Sequence, residues 1–270
     1  MMRDAREISV EALLFDLDGV LYRGDRIIDG AVETVRWCER QGIPHLFVTN
    51  TSSKPRRALV ERLSGLGLRV SAEQIFAPPV AAREYLITRG LAPSALFVRE
   101  ATLKDFEGLE RLDVEAERGA RSVVIGDIGE AWDFATLNQA FRLLMAEPKP
   151  TLVALGMSRY AEGDGGLLLD VAPFIKALEH AADCEAVVMG KPARAFFDAA
   201  LDALGVGAAE TVMIGDDVRG DVGGAQAAGL AGVLVRTGKF READLDGDIR
   251  PDAVLDSVAD LPKWWENRGS

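Results

Sequence analysis

The chain has 270 residues, 48% hydrophobic and 27% charged, an ordinary globular composition with room for one large domain or two modest ones. Its 31 basic against 43 acidic residues give a net charge of −12, which excludes the broad positive field that a nucleic-acid or anionic-membrane partner needs. Cys38 and Cys184 are too few for a disulfide framework and read as reduced core residues. No window reaches the roughly 20 apolar residues of a membrane span, and the charged Met1 to Ser9 lacks the apolar stretch of a leader, so the expectation is a cytoplasmic protein.

Short apolar runs alternate with longer amphipathic segments, the pattern of a parallel sheet with crossover helices. The first predicted strand, Ala12 to Phe15, runs into Asp16-Leu17-Asp18-Gly19. Ligands of a doubly wound sheet collect at the carboxyl ends of its strands, so both carboxylates are aimed at the crevice. Asp16 suits a nucleophile, since an ionised carboxylate attacks phosphorus without first losing a proton. Asp18 suits the acid that protonates the leaving oxygen and then the base that activates water, with Gly19 allowing the turn. A solvated turn would account for the same residues taken alone.

A helix over Ala31 to Gln41 leads to a strand over His45 to Val48, which ends at Thr49-Asn50-Thr51-Ser52-Ser53. These side chains offer donors to phosphate oxygens, while Ser52 or Ser53 also suits the N-cap of a helix over Lys54 to Leu66. Next come a helix over Pro79 to Arg89, strands over Ala95 to Val98 and Val123 to Ile125, a helix over Phe134 to Ala146 and a strand over Thr151 to Leu155. The loop after that strand, Gly156 to Tyr160, carries Arg159 and Tyr160, candidates for substrate contact through charge and stacking. Glu162 to Gly166 and Asp244 to Asp248 resemble fragments of calcium loops but lack the full spacing, and read as solvated turns. His45 and His180 are separated and read as structural.

A helix over Pro173 to Ala182 precedes a strand over Ala186 to Met189 and then Gly190-Lys191-Pro192, where Lys191 can neutralise Asp16 and an incoming phosphate together; a helix over Pro192 to Gly205 follows. The strand Val212 to Ile214 opens onto Gly215-Asp216-Asp217-Val218-Arg219-Gly220-Asp221, with a helix over Val218 to Ala228 and a last strand over Gly232 to Val235. Its carboxylates suit a hard cation such as Mg²⁺, with Asp216 as direct ligand and Asp217 and Asp221 in support. Polar strand ends cluster early and late in the chain, which predicts a core of residues 1–80 and 185–270 with an inserted domain over 81–184.

The order nucleophile, phosphate ligand, lysine, metal carboxylates resembles the haloacid dehalogenase superfamily, on Asp16/Asp18, Thr49, Lys191 and Asp216/Asp221. Gly19 to Gly24, Leu137 to Leu144, Met213 to Asp217, Asp221 to Gln226 and Val235 to Lys239 resemble the branch that holds phospholysine phosphohistidine inorganic pyrophosphate phosphatase and haloacid dehalogenase-like hydrolases. The resemblance implies an α/β fold, a doubly wound parallel sheet with an inserted type-two α/β cap. It also implies Mg²⁺ held by Asp16, Asp216 and the backbone oxygen of Asp18, with Thr49, Asn50 and Lys191 on the phosphoryl group. A phosphatase acting on a small phosphorylated molecule through an aspartyl-phosphate is the expected function, and cap-to-cap homodimers are compatible with it. The same residues would serve a phosphotransferase or mutase, and a phosphate-binding sensor would need neither nucleophile nor acid. The acidic Gly215 to Asp217 cluster speaks against a dehalogenase.

Overall fold

The computed structural model describes residues 10–163 and 165–267. Met1 to Ser9, and Asp164 within the Glu162 to Gly166 turn, lie outside the described residues. The chain opens with β1 (Ala12–Asp16), the hairpin of β2 (Tyr22–Arg23) and β3 (Arg26–Ile27), α1 (Ala31–Gln41), β4 (His45–Val48), α2 (Arg56–Gly65) and β5 (Ile75–Phe76). It continues with α3 (Pro78–Thr88), β6 (Ser94–Phe97), β7 (Ser122–Ile125), α4 (Phe134–Leu144), β8 (Thr151–Ala154), the hairpin of β9 (Tyr160–Gly163) and β10 (Gly166–Leu169), α5 (Val171–Ala182) and β11 (Val187–Val188). It closes with α6 (Arg194–Leu204), β12 (Thr211–Gly215), α7 (Gly224–Ala228), β13 (Ala231–Val235), β14 (Ala253–Leu255) and α8 (Leu261–Glu266).

Two compact units result: one holds the chain up to Thr49, Arg57–Phe76 and the chain from Lys191, and the other holds Asn50–Arg56 and Ala77–Gly190. The first is built on a parallel sheet in the order β14-β13-β12-β1-β4-β5. The chain builds outward from β1 on one side through β4 and β5, then returns to build outward through β12, β13 and β14 on the other. The boundary between β1 and β12 is therefore the topological switch point where α/β sheets bind ligands. Leu13, Leu14 and Phe15 of β1 and Val212, Met213 and Ile214 of β12 are wholly buried. Helices cover both faces of these strands, so their sequences read as unbroken apolar runs, and each large side chain contributes about 1.5–3 kcal/mol by leaving water. The second unit carries a parallel sheet in the order β11-β8-β7-β6, with Val123, Ile125, Leu152 and Ala154 packed against Leu143, Leu144 and Ile175. The α/β class, parallel sheet and inserted α/β unit agree with the sequence reading, and no helix among the described residues is long and apolar enough to cross a membrane.

Four local expectations need correction. α2 starts at Arg56, so Ser52 and Ser53 do not cap it; the Arg56 backbone N–H instead donates to Asp105 Oδ2 at 3.1 Å. α6 starts at Arg194, after Pro192. The helix expected over Val218 to Ala228 is a π-helical turn over Val218–Gly223 followed by the short α7. Cys184 is only half-buried, unlike the buried Cys38.

Candidate active site

Register places the polar strand ends side by side. Asp16 pairs with Val48, so Thr49 stands one residue beyond the partner of Asp16, buried at the end of β4. Phe15 pairs with Ile214, which carries Gly215 and Asp216 to the level of Asp16 on the opposite neighbour. Lys191 comes to the same point from a residue 175 positions away, its Nζ 2.6 Å from Asp16 Oδ1 and 2.7 Å from Asp221 Oδ1. All four side chains, those of Asp16, Lys191, Asp216 and Asp221, are buried.

The π-helical turn is what presents Asp221. Val222 N–H reaches back to Asp217 O, and the widened turn lets Asp221 Oδ2 accept from the backbone N–H groups of Asp216 and Asp217, both at 3.1 Å. Gly215 makes room, since a Cβ there would stand 2.2 Å from that of Asp221. Asp217 points elsewhere and caps the turn, accepting from Arg219 N–H at 3.0 Å and Gly220 N–H at 2.8 Å.

Burial raises the Asp16 carboxyl above its ordinary value, opposed by Lys191 and reinforced by the charge of Asp216. It also pushes Asp221 up to about 6, against the pull of Lys191. Asp216 is raised by burial and by the Asp221 charge, against the bond from Lys239 N–H. Burial works against the Lys191 ammonium, yet Asp16 and Asp221 together hold it above the usual lysine value. For Asp217, burial is outweighed by the Gly220 and Arg219 N–H groups and Lys239, and its carboxyl lies below the usual range. The cluster is thus an excess of buried negative charge held by one buried cation.

Such an excess suits a divalent ion. Asp16, Asp216 and Asp221 each bring a carboxylate oxygen to within 4.8 Å of the others. Asp216 Oδ2 accepts from Lys239 N–H at 2.7 Å, whereas Asp216 Oδ1 is buried with no hydrogen-bond partner among the described residues. An orphaned buried carboxylate oxygen is costly unless a cation completes it. The donors are all oxygens, the set preferred by a hard cation such as Mg²⁺.

Two glycines hold Asp216 from either side. Gly19 (φ +91°) and Gly238 (φ +67°) would each place a Cβ 2.0 Å from Asp216 Oδ2, so neither can carry a side chain without moving it. Magnesium at about 100 times its Kd should stabilise the wild type by about 2.7 kcal/mol. Gly238→Ala is expected to lose most of that gain while keeping a cooperative transition, which thermal unfolding with Mg²⁺ or EDTA will measure. A full magnesium response in the variant would mean that Asp216 does not hold the ion.

The candidate residues read from the sequence are thus partly gathered. Asp16, Lys191, Asp216 and Asp221 meet in one cluster, and Thr49 lies at the adjacent strand end. Asp18 is exposed, with its backbone bridged to Tyr22. Asn50 follows Thr49 directly but belongs to the second unit, as do Arg159 and Tyr160. Tyr160 opens β9 rather than lying in a loop, and the Arg159 guanidinium sits 5.8 Å over its ring. Gly238 and Lys239 contribute through a missing Cβ and a backbone N–H, which no side-chain pattern announces.

Residues 13–109 match the family model described as haloacid dehalogenase-like hydrolase, and residues 188–261 match a second, HAD-hydrolase-like model. Phospholysine phosphohistidine inorganic pyrophosphate phosphatase from Homo sapiens is 40% identical over 260 residues, covering 94% of each chain. Haloacid dehalogenase-like hydrolase domain-containing protein 2 from Bos taurus is 42% identical over 247 residues, covering 92% of each. Among solved structures, p-nitrophenyl phosphatase from Archaeoglobus fulgidus superposes with a TM-score of 0.81 at 28% identity, covering 95% of this chain and 99% of its own.

Proposed function

Because this chain belongs to the haloacid dehalogenase-like hydrolase family, we propose that it is a magnesium-dependent phosphatase working through an aspartyl-phosphate on Asp16. The observation that carries this reading is the buried meeting of Asp16, Asp216 and Asp221 at the switch point of the sheet, with Lys191 on Asp16 and Asp221 and one Asp216 oxygen unpartnered among the described residues. Bound there by Asp16, Asp216 and the Asp18 backbone oxygen, Mg²⁺ would supply the positive charge that lets a phosphate approach several carboxylates. Unit charges about 4 Å apart otherwise repel by about 4 kcal/mol at intermediate dielectric.

The protein groups then divide the work. A carboxylate oxygen of Asp16 attacks phosphorus, and the bond from phosphorus to the leaving oxygen breaks as Asp18 delivers a proton to that oxygen. Asp18 next takes a proton from a water that attacks the same phosphorus, which breaks the Asp16–phosphorus link and frees inorganic phosphate. Thr49, Asn50 and Lys191 bind the phosphoryl oxygens, while Asp217 and Asp221 shape the loop, Asp221 by gripping both Lys191 and the backbone of Asp216. Segment 81–184 is assigned as the cap, with Arg159 and Tyr160 as substrate contacts. The names of the relatives point to inorganic pyrophosphate and phospho-amino acids, and that of the structural neighbour to an aryl phosphate, as first compounds to try.

Phosphate release from inorganic pyrophosphate, phospho-amino acids, sugar phosphates and p-nitrophenyl phosphate tests the proposal. At least one should be hydrolysed with Mg²⁺ and none in EDTA. Turnover that is indifferent to EDTA, or no turnover by folded protein that binds Mg²⁺, would reject it in favour of a metal-free hydrolase or of a phosphotransferase or sensor.

A further inference from the structure

Beside Asp216 the first unit contains a recess of about 380 Å³ whose wall includes Asp18, Arg23, Lys239, Phe240 and Arg241. Two loops form it. The turn after β1 is folded back by the Gly19 N–H donating to Tyr22 O at 2.7 Å, which brings Arg23 close to Asp18. The segment after β13 is tied to this turn by Thr237 Oγ1 donating to Gly19 O, and by the Lys239 N–H on Asp216. The recess is therefore anchored to the reactive cluster through the Lys239 N–H on the Asp216 carboxylate.

Its charge is unusual for this chain. In a protein of net charge −12 the recess collects Arg23, Lys239 and Arg241. Lys239 Nζ leans toward Asp217 at 3.5 Å, whereas neither Arg23 nor Arg241 forms a salt bridge with a carboxylate among the described residues. Two guanidinium groups without such a carboxylate partner on one small recess, lined also by Phe240, whose ring lies under the Arg236 guanidinium at 5.1 Å, make a surface that complements a planar or tetrahedral anion through forked hydrogen bonds. Asp18, assigned above to protonate the leaving oxygen, lines the same recess, so the space next to it is where a leaving group would sit.

We propose that this recess is an anion subsite for the leaving group, in which Arg23 and Arg241 select substrates that carry a second negative charge beyond the transferred phosphoryl group. This rests on the phosphatase reading only for naming the occupant a leaving group. Specificity for charge would then be built into the core unit itself, in addition to whatever the inserted unit reads.

Binding, rather than turnover, separates the two ideas. Methylenediphosphonate, whose carbon bridge resists hydrolysis, carries two anionic groups, and methylphosphonate carries one. Their dissociation constants can be measured by calorimetry in Mg²⁺ for the wild type, for Arg23→Gln/Arg241→Gln and for Arg23→Lys/Arg241→Lys. The wild-type preference for methylenediphosphonate should fall by about 10-fold or more in the Gln pair and return in large part in the Lys pair. It should also weaken with added salt more steeply in the wild type than in the Gln pair. An unchanged preference in the Gln pair would overturn the subsite even if the protein hydrolyses pyrophosphate. A lost preference, in a protein that hydrolyses nothing, would leave the subsite standing and sink the phosphatase reading instead.

Discussion

Asp16→Asn is expected to lower phosphate release by on the order of 10⁴-fold or more, while leaving the protein at least as stable as the wild type in EDTA. The amide keeps the size and shape of the carboxyl but cannot supply the anionic oxygen that attacks phosphorus. Stability should move the other way. Burial holds the Asp16 carboxyl above its ordinary value, with Asp216 adding to the effect and Lys191 opposing it, so ionising it costs more in the folded protein than in the unfolded chain. Neutralising it relieves that cost, and Lys191 retains Asp221 at 2.7 Å. Phosphate release, thermal unfolding in EDTA and acid-quenched protein after incubation with a radiolabelled phosphoryl donor provide the readouts. The wild type should carry label and the variant none. Residual release above about one-hundredth of wild type would rule out Asp16 as nucleophile, and a clear drop in melting temperature would mean that its pair with Lys191 outweighs the repulsion among the carboxylates.

The parts of this site that were legible in the sequence are those where side-chain chemistry interrupts an apolar run. β1, β4 and β12 carry buried apolar runs, so Asp16 at the last position of β1, and Thr49 and Asp216 directly after β4 and β12, stand out as the polar residues that interrupt them. Lys191 was legible as the charged residue that follows the apolar run Ala186 to Met189, although β11 itself spans only Val187–Val188 and is half-buried. What escaped depends on backbone geometry or on distant partners. Asp221 was read as a supporting carboxylate, but its place in the cluster on equal terms with Asp16 and Asp216 depends on the π-helical turn, where the sequence suggests an ordinary helix. Gly238 and Lys239 act through a vacant Cβ position and an N–H group. β5 and β14 span only two and three residues, too few for an alternation to register. The start of α2 was misplaced because its first N–H group is met by Asp105, 49 residues away, instead of by the serines just before it.

Lys191→Met carries the second large effect, and here activity and stability should fall together. The side chain is buried between two carboxylates at 2.6 and 2.7 Å, so its removal leaves both without their shared cation. Breaking a buried pair by deleting one partner typically costs about 3–5 kcal/mol, mostly through the charge left behind. Turnover should drop by roughly 10²–10³-fold, the loss found when one group that stabilises developing charge is removed. The pH dependence identifies the cause. With Lys191 present, burial already pushes Asp221 up to about 6, above its unfolded value, so its favourable contribution is complete at low pH and is lost as pH rises through that value. Without the lysine both carboxyls lose the interaction that pulls them down, and each favours its protonated form over a wider range. The stability deficit of Lys191→Met relative to wild type, measured by urea unfolding in EDTA, should therefore be larger at pH 8 than at pH 5. A deficit that is constant across that range would assign the loss to packing around the Lys191 stem rather than to charge, and would remove the electrostatic basis for treating Lys191 as the cation that holds Asp16 and Asp221 together.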